Sequence, residues 1–309
     1  MQPVPRNRTA TLPDAQRVTP AADVPAWRDY LTLTKPEISF LVTISALAGF
    51  LLGSPDGVDG WRLVFTLLGT LLTSCGVSVL NHLFEADLDA SMRRTMNRPL
   101  PAGRLTPQAA RTFGFVLAGA GIGILCPLVN PLTAVLAIAT GVLYLYVYTP
   151  LKRTTKYNTL VGTIPGALPA LGGWTAATNS LGAGGWAIFG ILLAWQMPHF
   201  LSLAWMYRKD YDRGGYRMLP VVEPDGHSTV RQTLGFTVLL LAISLTPAWL
   251  GLLSGVYAVG ALLLGLAFLK PAVDFYRTRS VQDARRVLKA SIWYIPALVL
   301  LIVVDRLLF

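Results

Sequence analysis

The chain has 309 residues, 53% of them apolar and only 14% charged, and its mean hydropathy is +0.52. A soluble globular chain carries about 25% charged residues, so a water-soluble domain is excluded. The formal charge of +10 raises nucleic acid as a partner, but the basic residues are confined to particular loops between apolar runs, and that reading fails.

Residues 1–27 are rich in Pro, Ala, Thr and Arg and lack the apolar core of a secretory signal. They are expected to form a disordered cytoplasmic tail, ahead of one polytopic membrane domain over residues 28–309. A spanning helix needs about 20 mostly apolar residues. Nine stretches qualify or nearly so: 38–53, 61–83, 112–129, 131–149, 158–178, 185–207, 233–253, 255–276 and 291–308. The splits at Asn130 and Ser254 each rest on a turn of one or two residues. Pro165 and Pro169 predict a kinked or broken fifth span. Gly119 with Gly123, and Gly162 with Gly166, are small-residue pairs that let helices approach. Cys75 and Cys126 lie within apolar runs and read as small buried hydrophobes.

Orientation follows from Lys and Arg, which accumulate in cytoplasmic loops. The tail and alternate loops hold 23 of the 26 basic residues, and the intervening loops (54–60, 130, 179–184 and 254) hold none. This alternation predicts nine spans, with the amino terminus inside and the carboxyl terminus outside.

The chemistry concentrates at the end of the second span. Asn81, Glu85 and Asp89 are spaced i, i+4, i+8, which places all three on one helix face. Stacked oxygen donors suit Mg²⁺, which takes one or two carboxylates plus substrate phosphates. Acids are also common at solvated helix ends. These, however, follow directly on an apolar run, where charge is costly, and precede Arg93, Arg94 and Arg98. Lys152 and Arg153 arrive at the same face from the loop after the fourth span. Asp210 and Asp212 arrive after the sixth, beyond the run Trp195-Gln196-Met197-Pro198-His199-Phe200. A rim that mixes carboxylates and cations suits a metal-bridged diphosphate. His227, beside Asp225 and Gly226, reads as a turn residue.

The run Asn81 to Arg104, with Glu85, Asp89, Met92, Arg94, Thr95, Arg98-Pro99-Leu100 and Gly103, resembles the first motif of the UbiA-type membrane prenyltransferases. Further matches are Leu33-Thr34-Lys35-Pro36, Tyr148-Thr149-Pro150 with Lys152-Arg153, Gly166-Ala167-Leu168-Pro169, the Trp195–Phe200 run, and Lys209-Asp210-Tyr211 with Met218-Leu219-Pro220. The resemblance covers the chain from about residue 30 onward. Most relatives outside the heme branch carry Asp where Glu85 stands and an acid where His199 stands. Those two differences are similar to the branch whose acceptor is protoheme IX (heme B) and not a quinone precursor. Glu37 departs from the pattern, where a basic residue is expected.

The resemblance implies an all-α bundle of nine transmembrane helices around a lipid-open cavity. It implies Mg²⁺ held by Asn81, Glu85, Asp89 and Asp210, and a diphosphate neutralised by Arg94, Arg98, Lys152, Arg153 and Lys209. Farnesyl diphosphate would donate its prenyl group to a heme B vinyl group, with water addition, giving heme O. Tyr144 and Tyr148 would shield the allylic cation, although Tyr is common at membrane interfaces anyway. With Trp195 and His199 they would line the heme and prenyl pocket. His199 would be a heme ligand or a hydrogen-bonded bundle residue, and His82 would meet a propionate or solvent. The expected partners are the two substrates and the bilayer, with heme A synthase or oxidase assembly proteins as further ones, and no nucleic acid. A bacterial plasma membrane is the expected location, with the mitochondrial inner membrane as the alternative. The rival readings are a sister prenyltransferase with another aromatic or tetrapyrrole acceptor, and a transporter. The transporter reading is disfavoured because transporters bind near the midplane, whereas here the charge sits at one rim.

Overall fold

The computed structural model describes residues 26–308 and contains no strand among them. The expected tail falls outside the described residues except for Ala26 and Trp27, which open a helix. The elements are α1 (Ala26–Leu33), α2 (Pro36–Leu52), α3 (Gly60–Asp89), α4 (Pro107–Leu128) and α5 (Pro131–Val142). A wide π turn (Leu143–Tyr148) then leads into α6 (Thr149–Thr154), α7 (Asn158–Thr178), α8 (Ala183–Met206), α9 (Arg208–Arg213) and α10 (Leu219–Val222). The chain ends in α11 (His227–Ile243), α12 (Thr246–Trp249), α13 (Gly255–Thr278) and α14 (Val281–Leu308).

Each of the nine predicted stretches falls on helix, but they are not equivalent. Seven helical runs are long and apolar enough to cross a bilayer, counting α5 to α6 and α11 to α12 as one run each. The pair α1 and α2, bent by 44°, makes an eighth. The helix α7 has the length but not the hydropathy, because four glycines, two prolines and four threonines dilute its apolar residues. It lies inside the bundle, with 14 of its 21 residues buried. A helix clothed by other helices need not be greasy all round. So the apolar count among the described residues is seven to eight spans and not nine.

Four packing expectations change. α7 runs unbroken through Pro165 and Pro169, and Gln196 Nε2 of α8 donates to the Thr163 carbonyl beside them at 3.2 Å. Gly119 and Gly123 face open space. The close approach of α3 and α4 instead uses Gly69 and Gly76 against Gly114 and Gly121, where a Cβ at Gly121 would strike Thr73 and the Gly69 carbonyl. Cys126 is exposed and Cys75 half-buried, and both are free. Gly162 and Gly166 make room for side chains, the Tyr148 ring and Gln196, while the close backbone approach of α7 is at Gly173, against the Ala46 carbonyl of α2.

The larger apolar core binds α2, α7, α8, α11, α13 and α14, with Trp195, Tyr257, Phe268, Phe275 and Tyr294 as its bulky members. At its far end Asp305 of α14 accepts from the backbone N–H groups of Ser254 (3.0 Å) and Tyr257 (3.2 Å), capping α13 from another helix. α3, α4, α5 and the π turn close the other side, leaving a hollow between the two halves.

Candidate active site

α3 does not stop where its apolar run ends. It continues six residues past Leu83 to Asp89, and this extra turn and a half carries the acids. Asn81, Glu85 and Asp89 are 0%, 5% and 1% exposed. Each meets a partner from a different element. Lys35 Nζ donates to Asn81 Oδ1 at 2.8 Å, Lys152 Nζ to Glu85 Oε1 at 2.6 Å, and Arg98 Nη1 to Asp89 Oδ2 at 2.6 Å. Buried charges persist only when paired in this way. Asn81 Nδ2 also donates to Thr149 Oγ1 at 3.2 Å, and Thr149 Oγ1 donates to the Tyr144 carbonyl at 2.9 Å. A polar chain thus ties α2, α3 and the π turn together.

The π turn explains the aromatic pair. In α-geometry residues four apart drift by about 40°, and the wider π turn removes most of that drift. Tyr144 and Tyr148 therefore sit together, ring centroids 5.3 Å apart, and Lys152 Nζ lies 4.6 Å over the Tyr148 ring. Below them opens a cavity of about 310 Å³, lined by α2, α3, α5, α7 and α8. Ile38, Leu41, Val77 and Leu136 supply apolar wall, while Ser45, Thr73, Ser74 and Thr140 add hydroxyls. Trp195, His199 and Phe200 form the α8 side. His199 Nδ1 and Ser291 Oγ share a hydrogen bond of 2.8 Å, the Trp195 indole donates to the Ser291 carbonyl at 2.8 Å, and the two rings stack 5.1 Å apart. His199 is therefore both a bonded bundle histidine and a cavity wall.

A loop roofs the acids from the other half. Arg217 N–H donates to the Lys152 carbonyl at 2.7 Å and Asn158 Nδ2 to the Arg217 carbonyl at 2.9 Å. The roof is pinned again by Lys156 to Glu223 at 2.5 Å. That bond raises the Lys156 pKa above its usual value and lowers that of Glu223. Tyr216 hangs from this roof beside Glu85. Burial first, and the Glu85 charge second, push its phenol above the usual range, so it stays protonated.

Several predicted residues lie apart. Asp210 does not complete a metal cluster: it accepts from the backbone N–H groups of Arg93 (3.1 Å) and Arg94 (3.4 Å) and from Arg213 (3.4 Å). Among the described residues no three His, Cys, Asp or Glu side chains gather as a metal cluster. The α3 set of one amide and two carboxylates still fits a hard cation that draws its other ligands from phosphate and water. Arg94 and Lys209 line a separate hollow at the rim, and Arg153 is exposed. His82 meets no solvent: it is 2% exposed and neither ring nitrogen has a partner. His227 opens α11, its N–H on Asp225 at 3.3 Å. Lys35, Thr149 and Tyr216 had no predicted site role. A signal for Lys35 was its place before Pro36, and it caps α2 in a left-handed conformation, φ 47°, that non-glycine residues rarely adopt.

A model of the UbiA prenyltransferase family matches residues 42–295. A protein of Salinibacter ruber named protoheme IX farnesyltransferase is 62% identical over 277 residues, spanning 90% of this chain and 98% of its own length. One of the same name from Solibacter usitatus is 44% identical over 288 residues, spanning 90% and 99%. The solved structure of a UbiA homologue from Archaeoglobus fulgidus bound to GPP and Mg²⁺ superposes with a TM-score of 0.65 at 13% identity. It covers 89% of this chain and 99% of that one, which is a likeness of fold.

Proposed function

The chain belongs to the UbiA prenyltransferase family, among its protoheme IX farnesyltransferases, and on that premise we propose that it joins farnesyl to a vinyl group of heme B to make heme O. The observation that carries this reading is the α3 face. Three buried oxygen donors, each met by a hydrogen-bond donor from another element, stand over a mostly apolar cavity walled by aromatic rings.

Asn81, Glu85 and Asp89 would hold Mg²⁺, which when bound draws charge onto the departing diphosphate. Asp210 acts instead through the backbone it fixes, since it orders the Arg93–Arg94 segment that follows the acids. Lys35, Arg98 and Lys152 already stand within hydrogen-bond reach of the acids and are placed to share themselves with phosphate oxygens. As the C1–O bond of farnesyl diphosphate breaks, the leaving pair goes to the diphosphate and positive charge grows on C1. The faces of Tyr144 and Tyr148 are placed to stabilise that charge, by about 0.5–2 kcal/mol for each ring engaged. The vinyl carbon forms the new bond to C1, and the resulting cation beside the pyrrole takes the oxygen of water and releases a proton. No bond to the protein forms, so the residues act by placement and charge.

We also propose nine spans, with α7 the ninth, the amino terminus cytoplasmic and the carboxyl terminus outside. The clean Lys and Arg alternation supports this. Residues 1–27 would be a cytoplasmic tail and 28–309 one unit in the plasma membrane. Membranes containing the chain, given heme B, farnesyl diphosphate and Mg²⁺, should yield heme O by mass spectrometry. A farnesylated product from another acceptor but none from heme B assigns the chain to a sister activity.

A further inference from the structure

A second hollow, of about 540 Å³, lies at the rim beyond the end of α8. Arg93, Arg94, Arg208, Lys209 and Arg213 surround it against one acid, Asp210. That acid is already engaged by two backbone N–H groups and by Arg213. Among the described residues, Arg93, Arg94, Arg208 and Lys209 pair with no carboxylate. Two of them are held in place by aromatic rings. Arg94 lies over Tyr207 at 5.6 Å and Tyr211 at 5.9 Å, and Arg208 over Trp205 at 4.4 Å. Arg208 Nη1 also donates to the Trp205 carbonyl at 2.8 Å, which fixes its guanidinium further, and the N–H groups not so used are the ones that can meet an anion.

These cations are a different set from Lys35, Arg98 and Lys152, which serve the α3 acids. The two hollows share α8 as a wall. Leu203 lines the inner cavity and Met206 the rim hollow, three residues further along α8, or roughly 5 Å at 1.5 Å per residue. Protoheme carries its two carboxylates on one edge and its vinyl groups on the edges away from them. An anchor at the rim leaves the reactive edge free to enter the cavity.

We propose that the hollow ringed by Arg93, Arg94, Arg208 and Lys209 is a second anion site, which takes the two carboxylates of the acceptor. This rests on the heme farnesylation reading. The full chain in neutral detergent is titrated with protoheme and with protoheme dimethyl ester, followed by the Soret band. The wild type binds the diacid about tenfold more tightly than the ester, as one or two charge-assisted bonds require. The double variant R93Q/R208Q binds both at the ester's affinity, with an unchanged KM for farnesyl diphosphate, and R93K/R208K recovers part of the preference. K209Q shifts the preference in the same direction and serves if the double variant does not fold. A preference untouched in the Gln variants overturns the assignment. So does a raised farnesyl diphosphate KM with the preference intact, which returns the hollow to the donor site. A loss seen only in phosphatidylglycerol vesicles, and not in detergent, overturns it in favour of a lipid headgroup. Failure of the wild type to farnesylate protoheme, read separately by product mass, removes the underlying reading itself.

Discussion

Asp89 is 1% exposed and bonded to Arg98 at 2.6 Å. Asp89→Asn keeps the shape and removes the charge. Transfer should fall by at least about 100-fold, the scale of losing one preorganised electrostatic group. Arg98 is partly open to water, so the fold should survive, and an unchanged elution profile alongside the lost turnover is the check. Gly172 offers a different test. It is buried on the cavity wall, yet a Cβ there would meet nothing within 4 Å. It lies ten residues beyond Gly162, which faces Tyr148, so the cavity follows α7 for roughly 15 Å away from the charged rim. Gly172→Leu would fill that far end. The ratio of kcat/KM for geranyl over farnesyl diphosphate should rise by about tenfold or more, since a few methylene groups in an apolar pocket carry that much discrimination. An unchanged ratio means the prenyl tail ends elsewhere.

At the scale of elements, the site depends on where helices end and how closely they pack. α3 and α4 touch through glycines, and Gly121→Leu has no space to occupy against Thr73. Overpacking of this kind costs about 1–3 kcal/mol, so a lower melting temperature in detergent is expected, with Gly123→Leu as the neutral control. The roof over the acids is pinned by Lys156 and Glu223, and its pH dependence follows from the two shifts. Glu223 is depressed, so its contribution is present above the usual carboxylate range and is lost as pH falls through its folded value. Lys156 is raised, so its contribution is present at and below the usual lysine range and is lost as pH rises through its folded value. Amide exchange of residues 214–223, corrected for intrinsic rate, should be steady through neutral pH and quicken in acid. Lys156→Ala should remove that acid limb. The π turn belongs to the same scale: two tyrosines four apart were evident in the chain, but bringing their rings together, tilted at 51°, needed the wider turn.

For the whole molecule, the topology is open to a direct test. In a background without Cys75 and Cys126, a cysteine at Gly57 should react with an impermeant thiol reagent from outside the cell. One at Lys209 should react only after the membrane is opened. Labelling of both from one side would break the alternation and place the α3 acids and Lys209 on opposite faces of the membrane. Apolar runs of spanning length and one-sided basic loops are properties of composition along the chain, because lipid selects for them residue by residue. For that reason the all-helical membrane class, the extended acid face of α3 and the convergence of Lys152 and Arg98 upon it were legible without coordinates. The standing of α7 was not: a glycine- and proline-rich helix is a poor span by hydropathy and becomes reasonable only when other helices cover it.

The linear order of residues by itself determined the membrane class, the helical periodicity of Asn81, Glu85 and Asp89, and the family motifs. Each depends on neighbours within a turn or two. Only the tertiary structure decided which cation meets which acid. It also decided that Lys35 and Tyr216 join the site, that Asp210 braces a loop, and that the basic residues divide between two hollows. Apart from Arg98 and Asp89, which are nine residues apart, those pairings cross 46 or more positions of the chain, and side chains that far apart are brought together by helix packing, which no local pattern encodes.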